Sequence, residues 1–255
     1  MFGKKLSEKA LLEKYEKFLV NNFKPGIAPA HLDLNAEGWK LFVRENLTPI
    51  IEDRLGMRQT GDYIWADDYK DGKRRVLSFF KINDAYATFQ WGWNFDFVPR
   101  TSGNKAVWAR TDKTVYLHVF ELSPDFYDSE CDSVKKKKEK ARDKTMISRY
   151  NIDIKNPEKG LAEKIKQHQK VFCHLLPLMT EYYDSTASYD GILERIGRNM
   201  ENGYYRFINA DSLVSRAFIE KRMGMQEKAL HDFHEIPFSN KGIKEEYLKK
   251  FRELG

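Results

Sequence analysis

The sequence predicts an α+β protein in which N-terminal helices pack on an antiparallel sheet of about five strands, followed by an all-helical region. Three observations lead to this prediction. Apolar residues recur at helical spacing up to residue 56, strand-like runs and turn signals fill 62–122, and helical spacing returns from about 156. The chain is therefore divided into a helix pair plus sheet domain, an acidic-then-basic linker or arm, and a helical region: 1–125, 126–155 and 156–255.

Two helices are predicted at the N-terminal end. Residues 6–22 place apolar side chains on one helical face, and residues 35–55 do the same up to Gly56, which suits the position after a helix C-terminus. Pro49 is expected to kink the second helix or to split it. Two prolines make 23–34 read as a loop.

The middle of the chain reads as a sheet with an aromatic core. Asp71-Gly72 predicts a hairpin turn, and Gly92 predicts a bulge or bend in the third strand. Of the 35 aromatic residues, 16 lie between residues 63 and 127, so this sheet must be covered, and we expect the N-terminal helix pair to cover it. The predicted strands are 62–69, 74–82, 86–98, 106–110 and 114–122.

The third strand alternates apolar and polar residues, so each set occupies one face. The polar set includes Thr88, Gln90, Asn94 and Asp96. We favour the interpretation that this is the solvent face of a half-covered sheet, with a polar cleft as the alternative. If the C-terminal helices covered this face, its polar side chains would need hydrogen-bond partners.

Helical spacing and helix-ending residues define the C-terminal region. A long first helix begins near Asn156 and is expected to be interrupted near Pro177, and Cys173 on its apolar stripe is expected to be buried. Four further helices are predicted at 188–200, 211–223, 226–233 and 241–254.

The whole net charge of +6 lies in residues 134–149, because the rest of the chain has 36 basic and 36 acidic residues. This segment contains two acids and eight basic residues: Lys135, Lys136, Lys137, Lys138, Lys140, Arg142, Lys144 and Arg149. One hypothesis is a cationic arm that binds nucleic acid through its phosphates. The favoured alternative is a charged linker, since no stacking aromatic residue is interleaved with the lysines.

No catalytic motif is found in the sequence. It has no phosphate-binding G-x-x-x-x-G-K-[ST] and no G-x-S-x-G, and the letters Asp-x-Lys fall in the predicted turn. Strand parity places His118 and Glu121 on opposite faces. His231 and His234 are weak metal-ligand candidates, with a helix C-terminus as the favoured interpretation. We therefore expect no cofactor; the sequence leaves open whether the protein is an enzyme and leans towards one that is not.

Two resemblances bear on the fold. Leu47-Thr-Pro-Ile, Trp91-Gly92 and Phe95-Asp96-Phe97-Val98-Pro99 belong to a stretch, about residues 40–125, that resembles bacterial α+β domains of unknown function. That resemblance implies a leading helix with an antiparallel sheet and a bacterial source. Residues 213–233 resemble one tetratricopeptide-type helical hairpin, which implies helix-pair packing and partner binding; the matching positions are Leu213, Ala217, Gly224, Ala229 and Phe233.

The sequence therefore favours a non-catalytic protein-interaction or accessory protein of a bacterial cytoplasmic system. No apolar run is long enough for a secretory signal or a membrane span, and Cys131 and Cys173 are isolated, which is typical of a reducing cytosol. A protein partner is expected, nucleic acid is a second candidate partner, and no membrane is expected. The alternative functions are nucleic-acid binding through 134–149 and a metal-dependent hydrolase or nuclease.

Overall fold

The computed structural model describes residues 23–25, 31–81, 86–122, 147–148, 152–153, 156–201 and 210–254. Its α+β architecture is the predicted one, with an antiparallel main sheet and a run of C-terminal helices. The strands are β1 (Phe23–Pro25), β2 (His31–Leu34), β3 (Arg58–Gly61), β4 (Ile64–Ala66), β5 (Lys73–Lys81), β6 (Tyr86–Phe95), β7 (Pro99–Ser102), β8 (Lys105–Trp108), β9 (Val119–Glu121), β10 (Ile147–Ser148) and β11 (Ile152–Asp153). The helices are α1 (Ala36–Asn46), α2 (Thr48–Leu55), α3 (Pro157–Ser185), α4 (Tyr189–Glu201), α5 (Ala210–Arg222), α6 (Gln226–His234) and α7 (Lys241–Glu253).

The long strands β5 and β6 form the centre of the main sheet. The strand order is β10-β6-β5-β4-β3, and β9 also pairs with β6. All of these pairs are antiparallel. The predicted Asp-Gly turn before β5 is confirmed, since Asp71 has φ 52° and Gly72 has φ 79°, as a type I′ turn requires.

Several predicted strands have different bounds or partners in the structure. The predicted strand 106–110 lies in a separate hairpin of β7 and β8, and 114–122 contributes only β9 to the main sheet. The third strand ends at Phe95, so Asp96 lies beyond it. The sheet also gains β10, whose pairing with β6 joins residues about 60 positions apart and leaves no local sequence signal.

Gly92 does not form the predicted bulge. It lies in regular register opposite Val76 on β5 and opposite Phe120 on β9. A Cβ at this position would lie 2.0 Å from the carbonyl oxygen of Val119 and 2.6 Å from the Cα of Phe120. Glycine is therefore required here because β9 approaches the backbone of β6 too closely for any side chain.

The predicted helix 35–55 is split in two, as Pro49 suggested. The side chain of Asn35 caps α1 by accepting a hydrogen bond of 2.8 Å from the backbone N–H of Gly38. Pro49 lies in the first turn of α2. Backbone N–H groups in the first turn have no intrahelical acceptor, so the N–H that proline lacks is not needed there. Gly56 ends α2 in the left-handed conformation with φ 70°.

The prediction of a loop at 23–34 is wrong, because this stretch contains β1 and β2. These strands form a second sheet in the order β1-β2-β11. Pro25 favoured a loop in the sequence. In the structure it lies on the edge strand β1, where a residue without a backbone N–H is tolerated. The predicted helix 6–22 lies outside the residues that the structure describes.

Helix α3 covers the aromatic face of β6, a position that the sequence assigned to the N-terminal helix pair. The rings of Phe89 on β6 and Phe172 on α3 have centroids 5.5 Å apart, and those of Trp93 and Tyr183 are 5.7 Å apart. Trp39 of α1 belongs to the same buried cluster. One continuous core therefore includes residues of the N-terminal helices, the sheet and the C-terminal helices.

Two further predictions about α3 are wrong. The helix runs without interruption through Pro177, and Cys173 is exposed. A helix that is packed along one face against a sheet retains enough tertiary contacts to tolerate one proline and the hydrogen bond it removes. Within the described ranges, no helix is long and apolar enough to cross a membrane.

Candidate functional site

The polar face of β6 is buried. We use this name for the side of the strand that carries Thr88, Gln90 and Asn94, whose exposed fractions are 1%, 9% and 0%. The expectation of a solvent face is therefore wrong. The cover is the segment 109–118, which follows β8 and returns across the sheet, and the C-terminal helices pack on the opposite face.

Asn94 is the centre of the hydrogen-bond network beneath this segment. Its Oδ1 accepts a hydrogen bond of 3.0 Å from Arg74 Nε and one of 2.6 Å from the Tyr69 hydroxyl. Its Nδ2 lies 3.1 Å from Nδ1 of His118. The Tyr69 hydroxyl also contacts the carbonyl of Ala109, and burial raises its pKa to about 12. All the polar atoms of the Asn94 side chain thus have partners.

His118 is fully buried and is held in its neutral form. Its Nδ1 accepts a hydrogen bond of 3.0 Å from the backbone N–H of Phe95. Burial, only partly opposed by the Val98 carbonyl, lowers the pKa of His118 to about 3. The predicted separation of His118 from Glu121 is confirmed, because Glu121 bonds to Arg195 on the helical side of the sheet.

Arg74 anchors the covering segment to β5. It is 2% exposed, and its Nη1 donates a hydrogen bond of 2.8 Å to Asp112 while its Nη2 donates to the Thr111 carbonyl. Asp112 also accepts a hydrogen bond of 2.7 Å from Arg58. The hydrogen bonds from Arg58 and Arg74 lower the pKa of the Asp112 carboxyl. This charge network fixes the position of the segment over the sheet.

A cleft of 240 Å³ opens beside this network, on the same face of the sheet. Ser78 of β5 and Gln90 of β6 lie directly opposite each other on its floor. Tyr116 and Phe120 line it from the covering side. Of the four residues predicted for a polar cleft, only Gln90 lines it; Thr88 and Asn94 are buried elsewhere on the face, and Asp96 lies beyond the strand.

A second buried group of titratable residues lies between α3 and β2. Burial lowers the pKa of Lys164 to about 8, although the charge of Asp33 acts in the opposite direction. His168 lies one turn further along α3, is fully buried, and contacts the Lys164 carbonyl through Nδ1 at 2.8 Å. The rings of Trp39 and Phe42 on α1 pack against His168, with centroids 5.6 and 4.6 Å from that of the imidazole.

Helices α5 and α6 form the helical hairpin predicted at 213–233. Ala217, Ala229 and Phe233 are fully buried, and Gly224 in the connection has φ 81°. Small residues let the two helices approach closely, and glycine tolerates the left-handed turn between them. Among the described residues, two large hydrophobic side chains are more than a third exposed, Met225 at 37% and Leu230 at 46%, and both belong to this hairpin.

Charged residues close one side of the hairpin. Glu220 is fully buried, with Lys228 Nζ 3.0 Å from its carboxylate. Burial raises the pKa of Glu220. Asp232 is also desolvated, but its hydrogen bonds to Glu220, His231 and Arg216 lower its pKa. These ion pairs hold α5 against α6. None of them involves the face of α6 that carries Leu230.

The metal and nucleic-acid candidates are not assembled into a site by the described residues. His231 and His234 are both exposed on α6, and His231 Nδ1 lies 3.2 Å from Asp232. In the part of the chain that the structure describes, no three His, Cys, Asp or Glu side chains form a group that could hold a metal ion. Lys135, Lys136, Lys137, Lys138, Lys140, Arg142, Lys144 and Arg149 lie outside the described residues.

Comparison of the chain with protein-family models, with curated proteins and with solved structures found no match. Two places among the described residues therefore bear on function: the cleft on the polar face, and the exposed side chains of Leu230 and Met225 on the α5–α6 hairpin. Ser78 and Tyr116 of the cleft were not predicted, because the register of β5 with β6 and the path of 109–118 are set by long-range pairing.

Proposed function

We propose that this chain is a non-catalytic interaction protein of a bacterial cytoplasmic system, and that the α5–α6 hairpin binds its protein partner. The observation that carries the proposal is the exposure of Leu230 and Met225 on this hairpin. Protein-interaction sites combine an apolar centre with a polar, charged rim, and Leu230 and Met225 supply apolar side chains for such a centre. The resemblance of 213–233 to a tetratricopeptide-type hairpin supports the same function.

The polar network beneath the 109–118 segment supports a role without catalysis. Asn94, Arg74 and Asp112 are engaged with one another beneath the 109–118 segment. A general acid or base must reach the proton it transfers and needs a pKa near the working pH. Burial keeps the pKa of His118 at about 3, far below that range.

The proposal is tested by replacing Leu230 with glutamate. The chain is purified from its native cells under gentle cross-linking, and the amount of each co-purifying protein is quantified for the wild type and for Leu230→Glu. We expect one stoichiometric partner whose recovery falls at least tenfold in the variant, because a charge on the contact face would be desolvated on binding.

Lys241→Glu is the matched control, since Lys241 is 91% exposed and lies on α7. It should retain the partner, and both variants should keep the wild-type circular dichroism spectrum. A partnerless wild-type chain, or equal recovery with Leu230→Glu, would contradict the proposal. The nucleic-acid and metal-dependent hydrolase alternatives stay predictions; metal analysis of the purified protein tests the second of these.

A further inference from the structure

The cleft on the polar face contains a buried amide that has no hydrogen-bond partner among the described residues. Gln90 is 9% exposed, and it makes no side-chain hydrogen bond within the described residues. It lines the cleft, and its amide atoms are not sealed within the protein, so the amide opens into the cleft. Neighbouring Asn94 shows the contrast, because its amide is fully used by Arg74, Tyr69 and His118.

An amide in this position is a recognition group. It presents a hydrogen-bond donor and an acceptor side by side, so it pairs with a molecule that has an acceptor and a donor on one edge. In a desolvated site, a polar group left unpaired costs about 1–3 kcal/mol. The cleft therefore discriminates between ligands that satisfy the Gln90 amide and ligands that do not.

The other lining residues restrict the charge and size of the ligand. None of the eight lining residues is charged, and an ion would lose its hydration here without gaining a counter-charge. The volume of 240 Å³ is below the roughly 300–1,000 Å³ of drug-sized pockets. Tyr116 and Phe120 provide aromatic surface for a flat ring, and Ser78 adds a hydroxyl beside the amide.

We propose that this cleft binds a small, uncharged, planar heterocycle of the nucleobase class, held through paired hydrogen bonds to the Gln90 amide. Glutamine pairs with base edges of this kind in nucleic-acid recognition. The inference is independent of the proposed partner surface, because the cleft lies on the sheet and the hairpin of α5 and α6 is a different part of the fold.

The test compares probes that differ in one hydrogen-bond donor. 2-Pyridone has an N–H beside its carbonyl, and N-methyl-2-pyridone has the same ring with the donor blocked. Together with adenine, cytosine and uracil, they are titrated into the full-length, isotope-labelled protein and followed by amide NMR. We expect at least one free base and 2-pyridone to shift the signals of Ser78, Gln90 and Tyr116, and the N-methyl compound to bind at least tenfold more weakly.

Two variants distinguish recognition by the Gln90 amide from nonspecific binding of the probes. Gln90→Leu keeps the approximate side-chain size and removes both hydrogen-bonding groups, so we expect at least a tenfold loss of affinity for the bases. Gln226→Leu makes the same change at an exposed position at the start of α6 and should bind as the wild type does. Thermal melting shows whether Gln90→Leu is folded. N-methyl-2-pyridone tests the hydrogen bonds to the amide in the wild-type protein, without any substitution.

The source of the base is resolved by a third comparison. A short single-stranded oligonucleotide is titrated beside the free base it contains. Equal affinities would identify a free small molecule as the ligand, and at least tenfold tighter binding of the strand would identify a base presented by nucleic acid. The proposal is overturned if no probe shifts the cleft signals, if blocking the donor changes nothing, or if Gln90→Leu binds like the wild type.

Discussion

The most informative single residues are the buried polar ones, because a fold must either give their polar groups hydrogen-bond partners or keep them uncharged. Asn94 and Arg74 are hydrogen-bonded to four neighbours that come from two parts of the chain: Tyr69 before β5, and Thr111, Asp112 and His118 in the covering segment. Their burial could not be read from the strand pattern, since alternation shows that two faces differ and gives no information about what covers the polar one.

At this scale, the titration of His118 gives a testable prediction. Its pKa falls from 6.5 to about 3 on folding, mainly because of burial. Below pH 6.5 the unfolded chain therefore binds a proton that the folded chain does not, and stability falls as the pH falls, by up to about 1.4 kcal/mol per pH unit. Above pH 6.5 this contribution to stability is fully present.

His118→Gln retains an acceptor for the Phe95 N–H and removes the titrating group. Between pH 7 and pH 5, we expect the free energy of unfolding of this variant to fall by about 2 kcal/mol less than that of the wild type. Urea denaturation at the two pH values measures both. His174→Gln removes an exposed histidine instead and should follow the wild type; identical pH dependence of His118→Gln and wild type would refute the assignment.

At the scale of elements, helices were predicted better than strands. The four helices after α3 lie within one residue of their predicted bounds, because apolar spacing and ending residues such as Gly224 are local signals. Strands β1, β2, β3, β7, β10 and β11 were not predicted. Strands β10 and β11 are short and pair with residues about 60 and about 120 positions away, which no local pattern records. Strands β1 and β2 pair with each other locally, but the prolines of 23–34 favoured a loop.

The basic segment 134–149 carries the prediction that belongs to this scale. If it binds nucleic acid, reversing the charge of Lys135–Lys138 by substitution with glutamate should abolish binding. As phosphate contacts are removed, the slope of log affinity against log salt concentration should become shallower by about 0.7–0.9 for each contact, until binding is lost. Fluorescence anisotropy with labelled single- and double-stranded DNA measures affinity over a salt series.

A control for this experiment is reversal of four exposed lysines outside the segment. Lys113, Lys166, Lys170 and Lys241 provide such a set, because all four are exposed, Lys241 at 91%. Equal losses in the two variants would mean that only the overall charge matters. Unchanged affinity after reversal of Lys135–Lys138 would leave the charged-linker interpretation standing.

At the scale of the whole molecule, the continuous core is the main finding beyond the predicted fold class. Phe172 of α3 is fully buried and packs edge-on against Phe89 of β6. Trp93 donates a hydrogen bond of 2.8 Å to Thr186 at the end of the same helix. The sheet and α3 thus share one buried interface, and we expect them to unfold together.

Phe172→Ala tests this coupling. Removing a fully buried phenylalanine should lower the free energy of unfolding by about 3–5 kcal/mol. Tryptophan fluorescence reports on the sheet and far-UV circular dichroism reports on the helices, and both transitions should move to lower urea concentration by the same amount. Leu230→Ala, at a site 46% exposed, should change stability by less than about 0.5 kcal/mol.

Separate shifts of the two signals in Phe172→Ala would contradict a shared core. That result would instead favour independent units on either side of the segment 126–155. Three of the five tryptophans, Trp65, Trp91 and Trp93, lie in the main sheet, while Trp39 lies on α1 and Trp108 on β8, so the fluorescence signal comes mainly from the sheet.

The sequence alone determined the α+β class, the four helices after α3, a break in the helix at Pro49 and the turn at Asp71-Gly72, because periodicity and backbone preferences act over a few residues. It also separated His118 from Glu121 by strand parity. Only the tertiary structure decided that α3 covers the aromatic face, that 109–118 covers the polar face, and that Gln90 faces a cleft while Asn94 does not. These outcomes depend on contacts between residues far apart in the chain, and such contacts are selected by the burial and hydrogen-bond satisfaction of the whole fold.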